Sequence, residues 1–492
     1  MNALKSSDLT PSADVVDLSD VAPSIARMIP QGIAQEFGAL AVRCDGDRLL
    51  VAFGATPSEI ALARIERSTA LRVVPLRARP DRIALALGRV WGTHAQEPAP
   101  RSAPGDAPAV RAVDDLHDRA FVLRSSDIHI EPQRDGARIR FRIDGVLREI
   151  CTLESPLSSA IVSRIKVLAG MDIAERRRPQ DGRYSVTIAG HTIDARVSSM
   201  PAVEGEKLVV RLLDRHARLP ALDELGFSGE LVTRFCEAVS RPAGFIVVCG
   251  PTGSGKTTSL YASLAHLDAA SRNICTVEDP VEQTIAGATQ VQVNPKAGAS
   301  FSSILRSMLR QDPDVIMVGE MRDAETAKTA LHAALSGRMV LATLHSADAP
   351  RAVDRLEELG LGRAALAAGL SAVLAQRLVR RLCPACKEPL ALDAQTALRL
   401  RAERERVYFE ARGCERCAGT GYAGRTGIFE FFAIDEALRD AVAGGASSVT
   451  ISHLARKQGY RPMADDALAK CREGITSLSE LARVAPVESF AW

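Results

Sequence analysis

Apolar and polar positions follow different rhythms along this chain, and each change of rhythm marks a new part. Between 222 and 380, short apolar runs at 245–249, 273–277, 314–318 and 339–344 alternate with stretches of helical periodicity. After Asp323, the residues Ala327, Ala330, Leu331, Ala334 and Leu335 share one helical face and the pattern stops near Gly337, so a helix is predicted with Asp323 suited to cap it. Strand and helix in alternation imply a mostly parallel sheet covered by helices, an α/β fold. Residues 113–215 read instead as a helix followed by the short strands ARIRFRI, YSVTI, TIDARV and KLVVRLL. Turns are expected between strands at Asp135-Gly136, Asp144-Gly145, Asp181-Gly182 and Ala189-Gly190. Arginine alternates with apolar residues there, so one sheet face should be apolar and the other strongly basic.

The first 95 residues predict a small α/β head: a hairpin at Asp45-Gly46 between LAVRC and RLLVAF, then a helix near Ile60 to Ile65. The head carries no catalytic constellation and reads as a docking module. The Pro-, Ala- and Gly-rich stretch QEPAPRSAPGDAPA has linker composition, and 96–112 is taken as the linker. Residues 381–432 hold paired cysteines and many glycines, and 433–492 read as helical.

Composition changes this picture little but excludes some classes. Hydrophobic residues make up 46% and charged residues 25%, an ordinary globular balance. The net charge of +2 supplies no global field toward nucleic acid, and there is no basic tail. No apolar run approaches the roughly 18 residues of a membrane span. The N-terminus lacks an apolar signal core, so export is not expected and a cytoplasmic location is.

The strand GFIVVC leads into Gly250-Pro251-Thr252-Gly253-Ser254-Gly255-Lys256-Thr257-Thr258, which fits GxxxxGK[ST] between a strand and a helix. Glycines let backbone approach phosphate oxygens without a Cβ in the way. The N–H groups of about residues 253–257 would point inward at the positive end of a helix. Lys256 would reach the β- and γ-phosphates, and the Thr257 hydroxyl would bind Mg²⁺. A chance glycine-rich turn would not sit between that strand and that helix.

Such a loop specifies nucleotide binding and not the work done. The acidic groups narrow it: Glu278-Asp279-Pro280 and Gly319-Glu320 both follow apolar strands, at the carboxyl ends where ligands of open α/β sheets sit. Phosphoryl transfer to water needs one carboxylate for Mg²⁺ and one for the attacking water, and Glu278 and Glu320 are the natural pair, with Asp279 a weaker candidate. His345 lies just past MVLATL, again at a carboxyl end, which suits a sensing or orienting role beside the γ-phosphate.

Together these residues carry a resemblance. GPTGSGKTTSLY, TVEDPVE, LRQDPDVIMVGEMRD and ATLHSADA resemble the Walker A, Asp box, Walker B and His box of the type II secretion and type IV pilus traffic ATPases. SSDIHIEP, RFRIDG and RRRPQDGR resemble that family's second N-terminal domain. The likeness covers about 113–432, while 1–95 match only loosely. It implies a RecA-like P-loop core at 222–380, an α+β N-terminal domain at 113–215, and assembly into a homohexamer. Arg196 and Arg211 match the family's arginine positions that reach the phosphates. Lys207 stands where Arg is usual, which loses a planar fork, and Ser346 where Thr is usual.

Ten cysteines occur, and six (Cys44, Cys151, Cys236, Cys249, Cys275 and Cys471) are scattered singly. Cys383-Pro-Ala-Cys386 and Cys414-Glu-Arg-Cys417 form two CxxC pairs, a spacing suited to a closed, structural Zn²⁺ site and not to catalysis. Paired disulfides or a DNA-binding zinc ribbon are the alternatives. The resemblance agrees with a tetracysteine insert, which marks secretion and pilus-extension motors.

The expectation is therefore an ATP- and Mg²⁺-dependent motor of type II secretion, with Zn²⁺ as a third cofactor. Its expected partners are a bitopic inner-membrane protein at 1–95 and a polytopic platform protein, with acidic phospholipids an open further contact and no nucleic acid. It would lie at the inner membrane through these partners. A pilus-extension ATPase is the alternative reading. A DNA-transfer ATPase and a non-hydrolysing nucleotide-gated scaffold are alternatives of other classes.

Overall fold

The computed structural model describes residues 107–214, 218–395 and 406–484, position 397 and, with gaps, positions between 18 and 86. The linker at 96–106 and the stretches 1–17 and 485–492 lie outside the described residues. Two compact units divide the chain, 1–216 and 217–492.

In the head, β1 (Ala39–Asp45) and β2 (Arg48–Phe53) pair antiparallel across the Gly46 turn. A helix, Glu59–Thr69, then returns the chain to β3 (Arg72–Arg77), parallel to β2. Ile29, Leu49, Val51 and Ile65 are fully buried there.

The rest of the first unit is an antiparallel six-stranded sheet with two helices on one face, Pro108–Val122 and Leu157–Leu168. The first helix begins inside the stretch taken as linker, because Pro108 supplies a ready first-turn residue and Val113, Leu116 and Ala120 bury. The strands are β4 (Ser125–Gln133), β5 (Gly136–Ile143), β6 (Val146–Glu154), β7 (Gln180–Ile188), β8 (His191–Ala202) and β9 (Gly205–Asp214). Their order is β6-β5-β4-β9-β8-β7. Ile128, Ile130, Ile139, Phe141, Leu208 and Val210 form its apolar face. Gly145 and Gly190 close hairpins at positive φ, as Asp144-Gly145 and Ala189-Gly190 predict. Asp181-Gly182 makes no turn: Gly182 lies inside β7, where a Cβ would come 2.4 Å from the Ala169 carbonyl, so the glycine serves close packing.

The second unit is built on β10 (Gly244–Cys249), β11 (Ile274–Glu278), β12 (Ala288–Gln292), β13 (Val315–Val318), β14 (Met339–Leu344), β15 (Leu370–Leu382) and β18 (Tyr422–Ala433). Their order is β12-β11-β13-β14-β10-β15-β18, parallel except for the β15–β18 pair. Strands β10, β13 and β14 are buried along their whole length, which is why they read as unbroken apolar runs. The sheet extends past residue 380: β15 runs to Leu382, and β18 comes from the segment expected to belong to the cysteine insert. Ile428, Phe429, Phe431 and Phe432 of β18 are nearly fully buried and complete the core. Between these two strands lie the cysteine pairs and a small hairpin, β16 (Lys387–Leu390) with β17 (Tyr408–Ala411). Among the described residues, four short helices follow β18.

Candidate nucleotide and metal sites

The sheet order sets β10, β14, β13 and β11 side by side, so their carboxyl ends present the glycine loop, His345, Glu320 and Glu278 in sequence along one edge. Parallel strands lie about 4.8 Å apart, so Glu320 starts only about two strand spacings from the loop.

The glycine loop leaves β10 at Gly250 and enters the helix Lys256–His266, whose cap is Gly255 at φ 88°. Gly250 has φ 149°, and a Cβ there would come 2.7 Å from Ser254 Oγ. Pro251, Thr252 and Gly253 are exposed, Ser254 is buried, and Thr257 and Thr258 are half-buried at the first turn. Lys256 folds over the loop, donating to the carbonyls of Gly250 at 2.9 Å and Pro251 at 3.0 Å. Burial pushes its pKa down, against the charge of Glu320, which pulls it up. The loop's ammonium and Glu320 therefore feel one another.

Glu320 follows β13 and its two oxygens are divided. Oε1 lies 2.8 Å from His345 Nε2, and Oε2 accepts from Arg322 at 2.7 Å. Arg322 also faces Asp279 at 3.7 Å, bridging the two acidic segments. The Glu320 side chain is 23% exposed, so it reaches solvent. Thr343 donates to the Gly319 carbonyl at 2.5 Å and Met321 N to the Thr343 carbonyl at 3.1 Å, which fixes the turn that carries Glu320. Asp323 accepts from Thr326 N at 2.8 Å and caps the next helix as expected, although Leu335 at its far end is 48% exposed.

Glu278 has surroundings unlike those expected of a carboxylate that meets water. It is 2% exposed, and its oxygens accept from Thr276 at 2.5 Å, Gln290 at 3.1 Å and the Tyr261 hydroxyl. These three side chains fix the buried carboxylate and the turn that follows it. The more open acidic group of this segment is Asp279, 41% exposed. Tyr261, Gln290 and Arg322 were not singled out from sequence. Only Arg322 carried a local signal, its place two residues after Glu320.

Glu430 is a further unanticipated group, 4% exposed in the middle of β18. It accepts from Ala349 N at 2.6 Å, Met463 N at 2.9 Å and the Tyr460 hydroxyl at 2.9 Å. It thus ties the helix that follows His345 to the C-terminal helices.

In the first unit, the face opposite the apolar core is polar. β4 alternates Asp127, His129 and Glu131 on it, and all three are more than nine-tenths buried. Register sets Arg183, Arg196, Arg211, Asp127 and Arg142 in one row across β7, β8, β9, β4 and β5. Directly paired residues share a face. The expected basic face is therefore present, but acid from β4 runs through it: Arg211 bonds Asp127 at 3.0 Å, and Lys207, Arg138 and Arg140 converge on Glu131.

The four paired cysteines bring their Sγ atoms within 4.8 Å of one another. Cys383–Cys414, Cys386–Cys417 and Cys414–Cys417 are 3.9, 3.8 and 3.7 Å apart. These spacings are far beyond a disulfide bond. Four sulfurs about 2.3 Å from a tetrahedral centre would stand about 3.8 Å apart, so the thiols fit Zn²⁺. Burial opposes ionisation of Cys417, but N–H groups of Cys414 and Gly421 aimed at its sulfur hold its thiol down to about 6.

Two solved ATPases share the fold: DotB of Legionella pneumophila (TM-score 0.58, 22% identity, 78% of this chain and 97% of that one) and the pilus retraction motor PilT (TM-score 0.52, 24% identity, 76% and 96%). The type II secretion system ATPase E of Vibrio cholerae is 46% identical over 381 residues, 77% of this chain and 76% of its own length. The type IV pilus assembly ATPase PilB of Thermus thermophilus is 38% identical over 482 residues, 93% of this chain, which spans about half (54%) of that protein. With residues 102–483 matching the family model as well, the chain belongs to the Type II/IV secretion system protein family.

Proposed function

We propose that this chain is a hexameric ATP-hydrolysing motor that drives protein export by a type II secretion system. The observation that carries the proposal is the grouping of the glycine loop, Glu320, Arg322 and His345 on adjacent parallel strand ends. In this reading the loop N–H groups and Lys256 hold the phosphates, and the Thr257 hydroxyl holds Mg²⁺, whose role is to neutralise phosphate charge. Glu320 takes the proton of the attacking water, with His345 and Arg322 orienting its two oxygens. Glu278 keeps the turn before Asp279 in place. Arg196 and Arg211 contact phosphate within the hexamer, where such an arginine is worth roughly 10³-fold or more in rate. Zn²⁺ on Cys383, Cys386, Cys414 and Cys417 pins the cysteine subdomain.

Secretion is favoured over pilus extension because the type II secretion relatives reach 44–46% identity against 38% for the pilus ATPases. One observation keeps the pilus reading open: the PilB matches cover 93–94% of this chain, and the secretion matches 77–78%. In either reading the motor works at the cytoplasmic face of the inner membrane. The head docks on a bitopic membrane protein, and a polytopic platform protein receives the force. No described helix is long and apolar enough to cross a membrane. The test is phosphate release by the full chain and its E320Q variant, followed by replacement of the native protein with E320Q in the host. Loss of export with pili retained supports the proposal. Loss of pili with export retained selects the pilus reading, and a parent chain that releases no phosphate rejects both.

A further inference from the structure

The floor of the glycine loop is not made by the loop's own strand. It is made by β15, which runs parallel to β10 with Ala375 paired to Cys249, so that Gln376 stands level with Gly250. Gln376 is 1% exposed and its Nε2 donates to the Ser254 carbonyl at 2.8 Å. Both ends of the loop press on this residue. A Cβ on Gly250 would come 2.4 Å from the Gln376 carbonyl oxygen, and one on Gly255 3.2 Å from Gln376 Nε2.

We infer that Gln376 is a positioning residue of the phosphate loop, acting through the Ser254–Gly255 peptide. A peptide unit is planar and trans, so its C=O and N–H point in opposite directions. By drawing the Ser254 carbonyl toward β15, the Gln376 amide turns the Gly255 N–H away from the sheet, the direction in which such loops present N–H groups to phosphate. A loop with positive φ at Gly250, Gly253 and Gly255 has unusual freedom at this peptide, and one donor underneath removes it.

The side chain is also poorly chosen for stability alone. Its Oε1 is buried without a hydrogen-bond partner among the described residues, as is Ser254 Oγ. An unsatisfied buried amide oxygen costs free energy that an aliphatic side chain of similar length would not. A glutamine retained for packing would be improved by methionine. A glutamine retained to aim a peptide would not.

This inference rests on the phosphate-loop reading, and the test separates the two. Full-length Q376M keeps the volume and removes the donor, whereas Q376E keeps the shape and turns an acceptor toward the Ser254 carbonyl. Binding of fluorescently labelled ADP with Mg²⁺, KM and kcat for ATP, and the melting midpoint without nucleotide are measured for both, with K256A as reference. In Q376M the ADP Kd and the KM for ATP should rise about tenfold, the loss of one well-aligned bond. Its kcat should stay within about threefold and its nucleotide-free midpoint should not fall. Q376E should bind more weakly still. If K256A weakens binding and both Gln376 variants bind like the parent, the inference is overturned and the phosphate loop stands. If K256A also binds like the parent, the phosphate-loop reading itself fails. Should Q376M not fold, Q376E decides. Failure of both to fold would make the residue structural and overturn the inference.

Discussion

Glu131 gives a test whose size follows from geometry. Its side chain is 8% exposed, and Arg140, Lys207 and Arg138 reach it at 2.6, 3.1 and 3.0 Å. Burial alone would raise its pKa, but the hydrogen bonds from Arg140, Lys207 and Arg138 outweigh burial and hold it at about 2, against 4.5 in an open chain. That difference corresponds to about 3 kcal/mol of stability at neutral pH. Arg138 and Lys207 are 39% and 33% exposed, and solvent screening at both lowers the expectation to about 2 kcal/mol. The group is depressed on folding, so its contribution is present above pH 4.5 and is lost as pH falls toward 2. E131Q should therefore destabilise the sheet of β4, β5 and β9 by about 2 kcal/mol at pH 7, and the gap should narrow by roughly a third to a half at pH 3.5. The assay is urea unfolding of the full chain with hydrogen exchange followed in those strands. A gap that is absent at pH 7, or the same at pH 7 and pH 3.5, would refute the reasoning.

Other outcomes follow from the same structure. E320Q should lower phosphate release by roughly 10² to 10⁴ while labelled ADP still binds, and comparable turnover would remove Glu320 as the base. Y261F deletes the hydroxyl that Glu278 accepts from, and calorimetry should register a loss of about 1–3 kcal/mol with the Asp279 turn loosened in hydrogen exchange. Metal analysis should find about one zinc per chain, and both chelation and C417S should lower the melting midpoint. Burial raises the pKa of Glu430 against hydrogen bonds from Ala349, Met463 and Tyr460 that lower it. Its folded form therefore holds a proton more tightly than the open chain, and stability falls as pH rises from about 4.5 through the raised value. In E430Q that part of the pH dependence should vanish from a series of melts, and its persistence would count against the buried carboxyl as its source.

Much of this protein was legible in its sequence because local patterns have local causes. The runs at 245–249, 315–318 and 339–344 are strands buried on both faces, and burial on both faces is what writes an unbroken apolar run. Glycine spacing, a lysine and a threonine foretold a tight loop leading from β10 into a helix, because backbone conformation and helix start are set within a few residues. Two CxxC pairs announced four thiols that tertiary structure does bring together.

Tertiary structure alone decided what crosses the sheet. That Glu278 is sealed beneath Tyr261 and Gln290 while Glu320 stays open depends on which strands are neighbours, and strand order is not written in any local pattern. Asp181-Gly182 reads as a turn until the approach of the Ala169 carbonyl explains the glycine inside a strand. The acid that threads the arginine face comes from β4, and its pairing with Lys207 links residues 76 apart in sequence. Gln376 lies 122 positions from the serine it holds. Contacts over such separations form only when the sheet closes, so the chain's own order gives the chemistry of the parts and the fold assigns them their partners.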